Sequence, residues 1–199
     1  MVQLLNYRST TEDLCLYASI PEGQAREDYV HSILLLDASN YTTPSEFTNR
    51  NMYFFATPPT DKLLDEMPQL RLHNASPPTT NLPLSEVLIV LFDTLANIPE
   101  GDWAVDHIKS RIHWIIAQAV ALTAQNIEDV ALKADNLLSK SWSRMIHQYL
   151  RWALLAGKNG PDSSETLGVL GKQEALMRLK TAGIVFDREN KKLGRVRYT

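Results

Sequence analysis

Length, composition and charge bound the class of protein before any motif is considered. The 199 residues suffice for one sizeable domain or two small helical ones, and 44% hydrophobic with 22% charged residues is typical of a soluble globular protein. The single cysteine, Cys15, excludes an internal disulfide framework and a multi-cysteine metal site. No run approaches the roughly 18 apolar residues that a membrane-spanning helix needs, so no membrane partner is expected.

The net charge of −3 is divided unevenly along the chain. Residues 1–100 hold 5 Lys and Arg against 13 Asp and Glu, a balance of −8, whereas residues 101–199 hold 15 against 10, a balance of +5. This asymmetry predicts that any contact with a polyanion lies in the second half of the chain.

Helical signals begin at residue 28. Tyr29, Ile33 and Leu36 fall on one helical face, and Pro44 suits the first turn of a further helix that ends near residue 55. A short helix is expected over residues 60–66.

The stretch 74–83 contains three prolines and predicts a linker between two helical units. Beyond the linker, apolar periodicity and cap signals predict helices over residues 84–97, 103–125, 127–138, 142–156, 163–170 and 172–181. Asp102 is the expected N-cap of the second of these helices, and Asp162 with Glu165 has the spacing of a capping box at the fifth. After Gly183 the tail is expected to form a short hairpin or to be mobile.

The pattern as a whole predicts an all-α protein. A smaller unit over residues 1–80 would precede a helical domain over 81–182 and a basic tail over 183–199. There is no glycine-rich phosphate loop, and the five histidines form no H-x-x-x-H pair. Catalytic, cofactor-binding and metal-binding residues are therefore not expected in this chain.

Two neighbouring segments of the second half carry a resemblance to a known family. Residues 150–157 read L-R-W-A-L-L-A-G, and after Pro161 residues 165–179 read E-T-L-G-V-L-G-K-Q-E-A-L-M-R-L. In order and spacing this resembles the C-terminal signature of glutamyl-tRNA synthetases of bacterial or organellar type, L-R-x-A-L-T-G followed by E-x-x-x-x-L-G-K-E-x-x-x-x-R-L. Weaker similarity extends the resemblance over residues 28–182. It includes the sequence Tyr53-Phe54-Phe55, which resembles a motif of fungal mitochondrial members.

The resemblance implies a helical anticodon-binding region, of the α-helix cage type, preceded by a smaller connecting unit. Anticodon loops present unpaired bases, which proteins read with short polar groups, stacking and Arg, and a helix N-terminus favours phosphate or base acceptors. The residues that match the family's base-reading segment, or suit phosphate contact beside it, are Arg151, Lys158, Pro161, Asp162, Ser163, Ser164 and Lys172.

Several residues that could contact RNA could equally have an ordinary structural role. Arg151 serves either RNA or a structural ion pair, and Lys158 and Lys172 either contact phosphate or are simply solvated. Trp142 and Trp152 either stack on bases or pack in the core.

The chain also departs from the family pattern. Leu155 and Ala156 replace the usual Thr-Gly, and Asp162 places a negative charge in a segment expected to meet RNA. The H-x-G-H motif of the family's catalytic domain is missing, and residues 137–141 echo K-M-S-K-S only superficially, among C-terminal helices.

The resemblance further implies a glutamate-accepting tRNA as partner. The chain alone is expected to be inactive and to need no cofactor, because ATP would be used by a separate catalytic domain. Family likeness suggests the mitochondrial matrix, and otherwise the cytoplasm, although residues 1–10 show no targeting pattern.

Two other classes of function stay open. A helix over residues 176–183 followed by a hairpin would suit a winged-helix DNA-binding protein. A helical scaffold that binds a protein partner would show no affinity for RNA.

Overall fold

The computed structural model describes residues 24–37, 40, 42–70, 84–125 and 137–196, and the regular elements in these ranges are helical. The α-helices are α1 (Gln24–Asp37), α2 (Pro44–Asn51), α3 (Thr60–Asp65), α4 (Leu84–Ala96), α5 (Val105–Gln125), α6 (Leu137–Leu155), α7 (Ser163–Leu170) and α8 (Lys172–Val196). Short 3-10 helices cover Met52–Phe54 and Glu100–Asp102. The expected all-α fold is confirmed. None of the described helices is both long and apolar enough to cross a membrane.

One cluster of buried apolar side chains runs from Val30 of α1 to Phe186 of α8. Helix α8 packs on α3, α4, α6 and α7, while α5 packs on α4, α6 and α7. Ile108, Ile112 and Ile115 form a stripe along one face of α5 and are fully buried, as their spacing of three and four residues indicates.

Two tryptophans for which base stacking had been an alternative lie in this core. Trp142 and Trp152 are each 1% exposed, and their indole nitrogens donate to Thr123 Oγ1 at 3.0 Å and to the Leu63 carbonyl at 2.7 Å. A buried indole with its N–H satisfied stabilises the fold and has no free ring face for a base. By contrast Trp114, on the outer side of α5, is 49% exposed.

A buried arginine joins the early helices to the later ones. Arg178 of α8 is 1% exposed and pairs with Glu174 at 2.7 Å. Its guanidinium also donates to backbone carbonyls on two separate segments, namely Tyr53 at 2.6 Å, Ala56 at 3.2 Å and Leu154 at 2.7 Å. Residues that follow α2 are thereby fixed against α6 and α8.

The tail differs from its expectation. Helix α8 continues through Gly183 to Val196, so the predicted hairpin is wrong. Val185 and Phe186 are buried, and the Phe186 ring packs against Tyr149 and Trp152. Burying these side chains outweighs the roughly 1 kcal/mol cost of a mid-helix glycine. The winged-helix interpretation loses the hairpin on which it depended.

The start of α5 also differs. Asp102 lies in a 3-10 turn rather than capping a helix from residue 103, and α5 begins at Val105. The Trp103 indole donates to the Leu167 carbonyl at 3.1 Å, which holds this residue in the turn before the helix.

Some expectations fall on residues that the structure does not describe. The linker 74–83, most of the helix 127–138 and the last three residues lie outside the described ranges. The division into units 1–80, 81–182 and 183–199 stays a prediction.

Candidate nucleic-acid interface

The segment that joins α6 to α7 brings most of the predicted RNA-contacting residues into one region. Helix α6 ends with two successive left-handed residues, Ala156 at φ 46° and Gly157 at φ 75°, and the Gly157 amide donates to the Arg151 carbonyl at 3.3 Å. This hydrogen bond joins residues six apart, one more than the six-to-one bond of a Schellman motif, and the left-handed position directly after a helix, held here by Ala156, is usually a glycine. The chain then turns directly into α7.

Arg151 lies one turn before this ending, on the solvent side of α6. Its side chain is exposed, and no described carboxylate lies within ion-pair distance of it. Its guanidinium therefore remains accessible to an anion at the edge of the turn.

Lys158 contacts the early helices instead of extending into solvent. Its ammonium donates to the Asn49 carbonyl at 3.2 Å, lies 2.9 Å from Met52 Sδ and stands 5.4 Å from the centre of the Tyr53 ring. A shallow groove of about 430 Å³ opens beside it, lined by Asn40, Glu46, Asn49, Arg50, Lys158 and Asn159.

The predicted capping box at α7 is confirmed, and its hydrogen bonds engage two of the predicted site residues, Asp162 and Ser164. The Asp162 carboxylate accepts hydrogen bonds from the Ser164 amide at 2.8 Å and from the Ser164 hydroxyl, while Glu165 accepts from the Asp162 amide at 3.0 Å. Ser163 and Ser164 are 6% and 2% exposed, whereas Pro161 is half-buried. Both serines therefore point into the protein, where they define the shape of the turn.

His147 of α6 completes this internal network. Its Nδ1 forms a hydrogen bond with Ser163 Oγ at 3.1 Å. Burial lowers the pKa of His147, and the nearby His113 and Arg151 lower it further against the opposing charge of Asp162. The pKa lowering favours the neutral imidazole.

The charge of Asp162 is held in place by its neighbours. Partial burial raises the pKa of Asp162, but the hydrogen bonds from Ser164, together with His147 and Lys109, outweigh it and lower the pKa overall. From α5, Lys109 thus affects the pKa of Asp162, and His113 affects that of His147. The sequence motif did not point to these two residues, although their four-residue spacing beside the buried α5 stripe was a usable signal.

Lys172 lies at the start of α8 and serves another junction. Its ammonium donates to the Ile98 carbonyl at 2.6 Å and so ties α8 to the loop between α4 and α5. Within the described ranges, no three His, Cys, Asp or Glu side chains gather as metal ligands would.

Comparison with known proteins gives a likeness of fold. No protein-family model matches the chain. No curated protein matches it either. Among solved structures, the chain is similar to a glutamate tRNA ligase from Elizabethkingia meningosepticum, crystallised in complex with its amino acid, with a TM-score of 0.52 and 15% identity. The match covers 83% of this chain and 26% of that ligase, so the chain spans about a quarter of its length. The chain therefore shares a fold with part of a glutamate tRNA ligase.

Proposed function

We propose that this chain binds the anticodon loop of a glutamate-accepting tRNA, as the C-terminal part of a glutamate–tRNA ligase of bacterial or organellar type. The main support is an exposed Arg151 beside a turn that a capping box holds at the start of α7, on a fold shared with part of such a ligase. Similarity of the 150–179 motif supports the choice of the anticodon-binding region.

In the proposed complex Arg151 contacts RNA directly. An exposed guanidinium beside a tight turn can stack on an unpaired base or donate two parallel hydrogen bonds to a phosphate. Pro161 presents a half-buried ring at the surface of the same turn. Lys158 and Lys172 keep their expected role as phosphate contacts only if the RNA competes with the carbonyls they now hold.

The other three site residues act by holding the turn. Asp162 caps α7, and Ser163 and Ser164 bond inside the protein, so their effect on RNA passes through the shape of the backbone. Preorganising a binding loop in this way reduces the entropy that is lost when RNA binds.

Aminoacylation requires more than this chain. On the proposed function the isolated chain is inactive, and a separate catalytic domain binds ATP and glutamate. We place the protein in the mitochondrial matrix on family resemblance, with the cytoplasm as the alternative.

The test is binding of the purified chain to glutamate-accepting tRNA and to the same tRNA with a substituted anticodon, at one fixed salt concentration. We expect anticodon substitution to weaken binding about tenfold, a difference of about 1.4 kcal/mol. Arg151→Gln should remove most of that discrimination, whereas Lys180→Gln, at an exposed lysine of α8, should leave it intact.

Two outcomes contradict the proposal. Equal affinity for both tRNAs would make the chain a nonspecific polyanion binder, and no binding at all would favour a protein-interaction scaffold.

A further inference from the structure

Helix α6 carries charge of one sign on its exposed side, and the turn that joins α6 to α7 does not explain it. Its 19 residues include no Asp or Glu, and its three Lys and Arg residues are all exposed. We call these three, Lys140, Arg144 and Arg151, the α6 cationic stripe. The opposite side of the helix is apolar and buried in the core.

The three cations share one line along the helix. At about 100° per residue they fall within about 40° of one another around the axis, and at about 1.5 Å per residue they span about 16 Å. Of the turn residues, only Arg151 belongs to the stripe. Lys140 and Arg144 extend it away from α7 by two to three helical turns.

Contacts among the described residues do not account for this arrangement. No described carboxylate lies within ion-pair distance of any member of the stripe. Like charges four residues apart, as in Lys140 and Arg144, repel and destabilise a helix by a few tenths of a kcal/mol. A surface helix that only needed to be solvated would normally mix charges of both signs.

We infer that the α6 cationic stripe is a track for the phosphate backbone of the bound RNA. The strand would pass Arg151 at the turn and follow the solvent face of α6 towards Lys140. This inference rests on the proposed function and adds the path by which the RNA leaves the turn. Because phosphates carry no sequence information, the track supplies affinity and orientation, and the turn supplies discrimination.

The experiment separates the track from the turn. The double variant Lys140→Gln/Arg144→Gln is compared with the double variant Lys62→Gln/Lys180→Gln, which removes two exposed lysines elsewhere. Affinity for glutamate-accepting tRNA, with the natural and a substituted anticodon, is measured over a range of salt concentrations. Circular dichroism checks that both variants keep the helical content of the parent.

Removing one cation that binds a phosphate should reduce the slope of log affinity against log salt by about 0.7–0.9. We expect the α6 variant to reduce this slope by about 1.5 and to leave unchanged the ratio of its affinities for the two tRNAs. The control variant should leave both the slope and the affinity ratio unchanged. An unchanged slope with anticodon discrimination intact would overturn the track and leave the proposed function standing. An equal reduction in the control variant would also overturn it, since the cations would then act only through net charge. Absence of RNA binding by the parent chain would overturn both proposals.

Discussion

The buried Arg178 gives the sharpest quantitative test of how this fold is held together. Replacing it with methionine keeps a long side chain in the core and removes the guanidinium. Among the described residues, the Glu174 carboxylate, 4% exposed, would keep the hydroxyl of Thr57 at 2.9 Å as its hydrogen-bond partner. Three backbone carbonyls would lose their charged donor in the same step.

The expected loss of stability follows from these interactions. Removing one partner of a buried ion pair costs about 3–5 kcal/mol, because the remaining charge is left uncompensated. Against a total stability of about 5–15 kcal/mol, this is a large fraction. For a protein of this size, about 4 kcal/mol corresponds to a fall in melting temperature of about 8–16 °C.

Urea unfolding followed by circular dichroism and tryptophan fluorescence measures the effect. The matched control is Arg188→Met on the same helix, where the side chain is 64% exposed and loses only a surface ion pair. The double variant Arg178→Met/Glu174→Met should recover part of the loss, since it removes the unpaired carboxylate as well. If Arg178→Met destabilises the protein by no more than Arg188→Met does, the buried network does not hold the early helices to α8.

Three further predictions concern the turn and its surroundings. Burial lowers the pKa of His147, so on acidification this histidine is protonated more readily in the unfolded chain than in the folded protein. The free energy of unfolding should therefore be highest above a pH of about 6.5 and fall below it. Thermal melts from pH 7.5 to 5.5 should show this fall, which His147→Gln reduces and which His31→Gln, at an exposed histidine, leaves unchanged. Gly157→Ala should destabilise the protein by about 1 kcal/mol, because the strain of a left-handed alanine exceeds the stabilisation that comes from lowering the entropy of the unfolded chain. Gly101→Ala, with open space around the new methyl, is the control, and equal effects of the two substitutions would argue against strain at Gly157. Asp162→Asn should keep the N-cap and most of the stability, while Asp162→Ala should lower the free energy of unfolding by about 1 kcal/mol in denaturant melts. Equal losses in the two variants would show that the charge of Asp162 contributes more to stability than its capping hydrogen bond.

Local signals predicted the features that depend on neighbours in the sequence. The buried stripe of α5 follows from a spacing of three and four residues among Ile108, Ile112 and Ile115. The capping box at Asp162 and Glu165 needs only four consecutive residues, and it is formed as predicted.

The features that the sequence did not reveal depend on distant partners. Gly183 suggested a helix end, but the ring of Phe186 is held by Tyr149 and Trp152 from another helix. The carbonyls that occupy Lys158 and Lys172 lie 109 and 74 residues away, where no local pattern can indicate them.

On the proposed function, the burial of Ser163 and Ser164 determines which residues can contact the RNA directly. Because the hydroxyls of Ser163 and Ser164 bond within the protein, substituting either one changes the shape of the turn and removes no direct bond to RNA. Asp162 adds a negative charge at the N-terminus of α7, so the helix dipole there is already balanced by a carboxylate and has little left to offer a phosphate. The attraction must then come from cations outside the turn, and Arg151 is the residue that belongs both to the edge of the turn and to the α6 cationic stripe. Loss of Arg151 should therefore impair both affinity and discrimination, whereas loss of Lys140 or Arg144 should impair affinity alone.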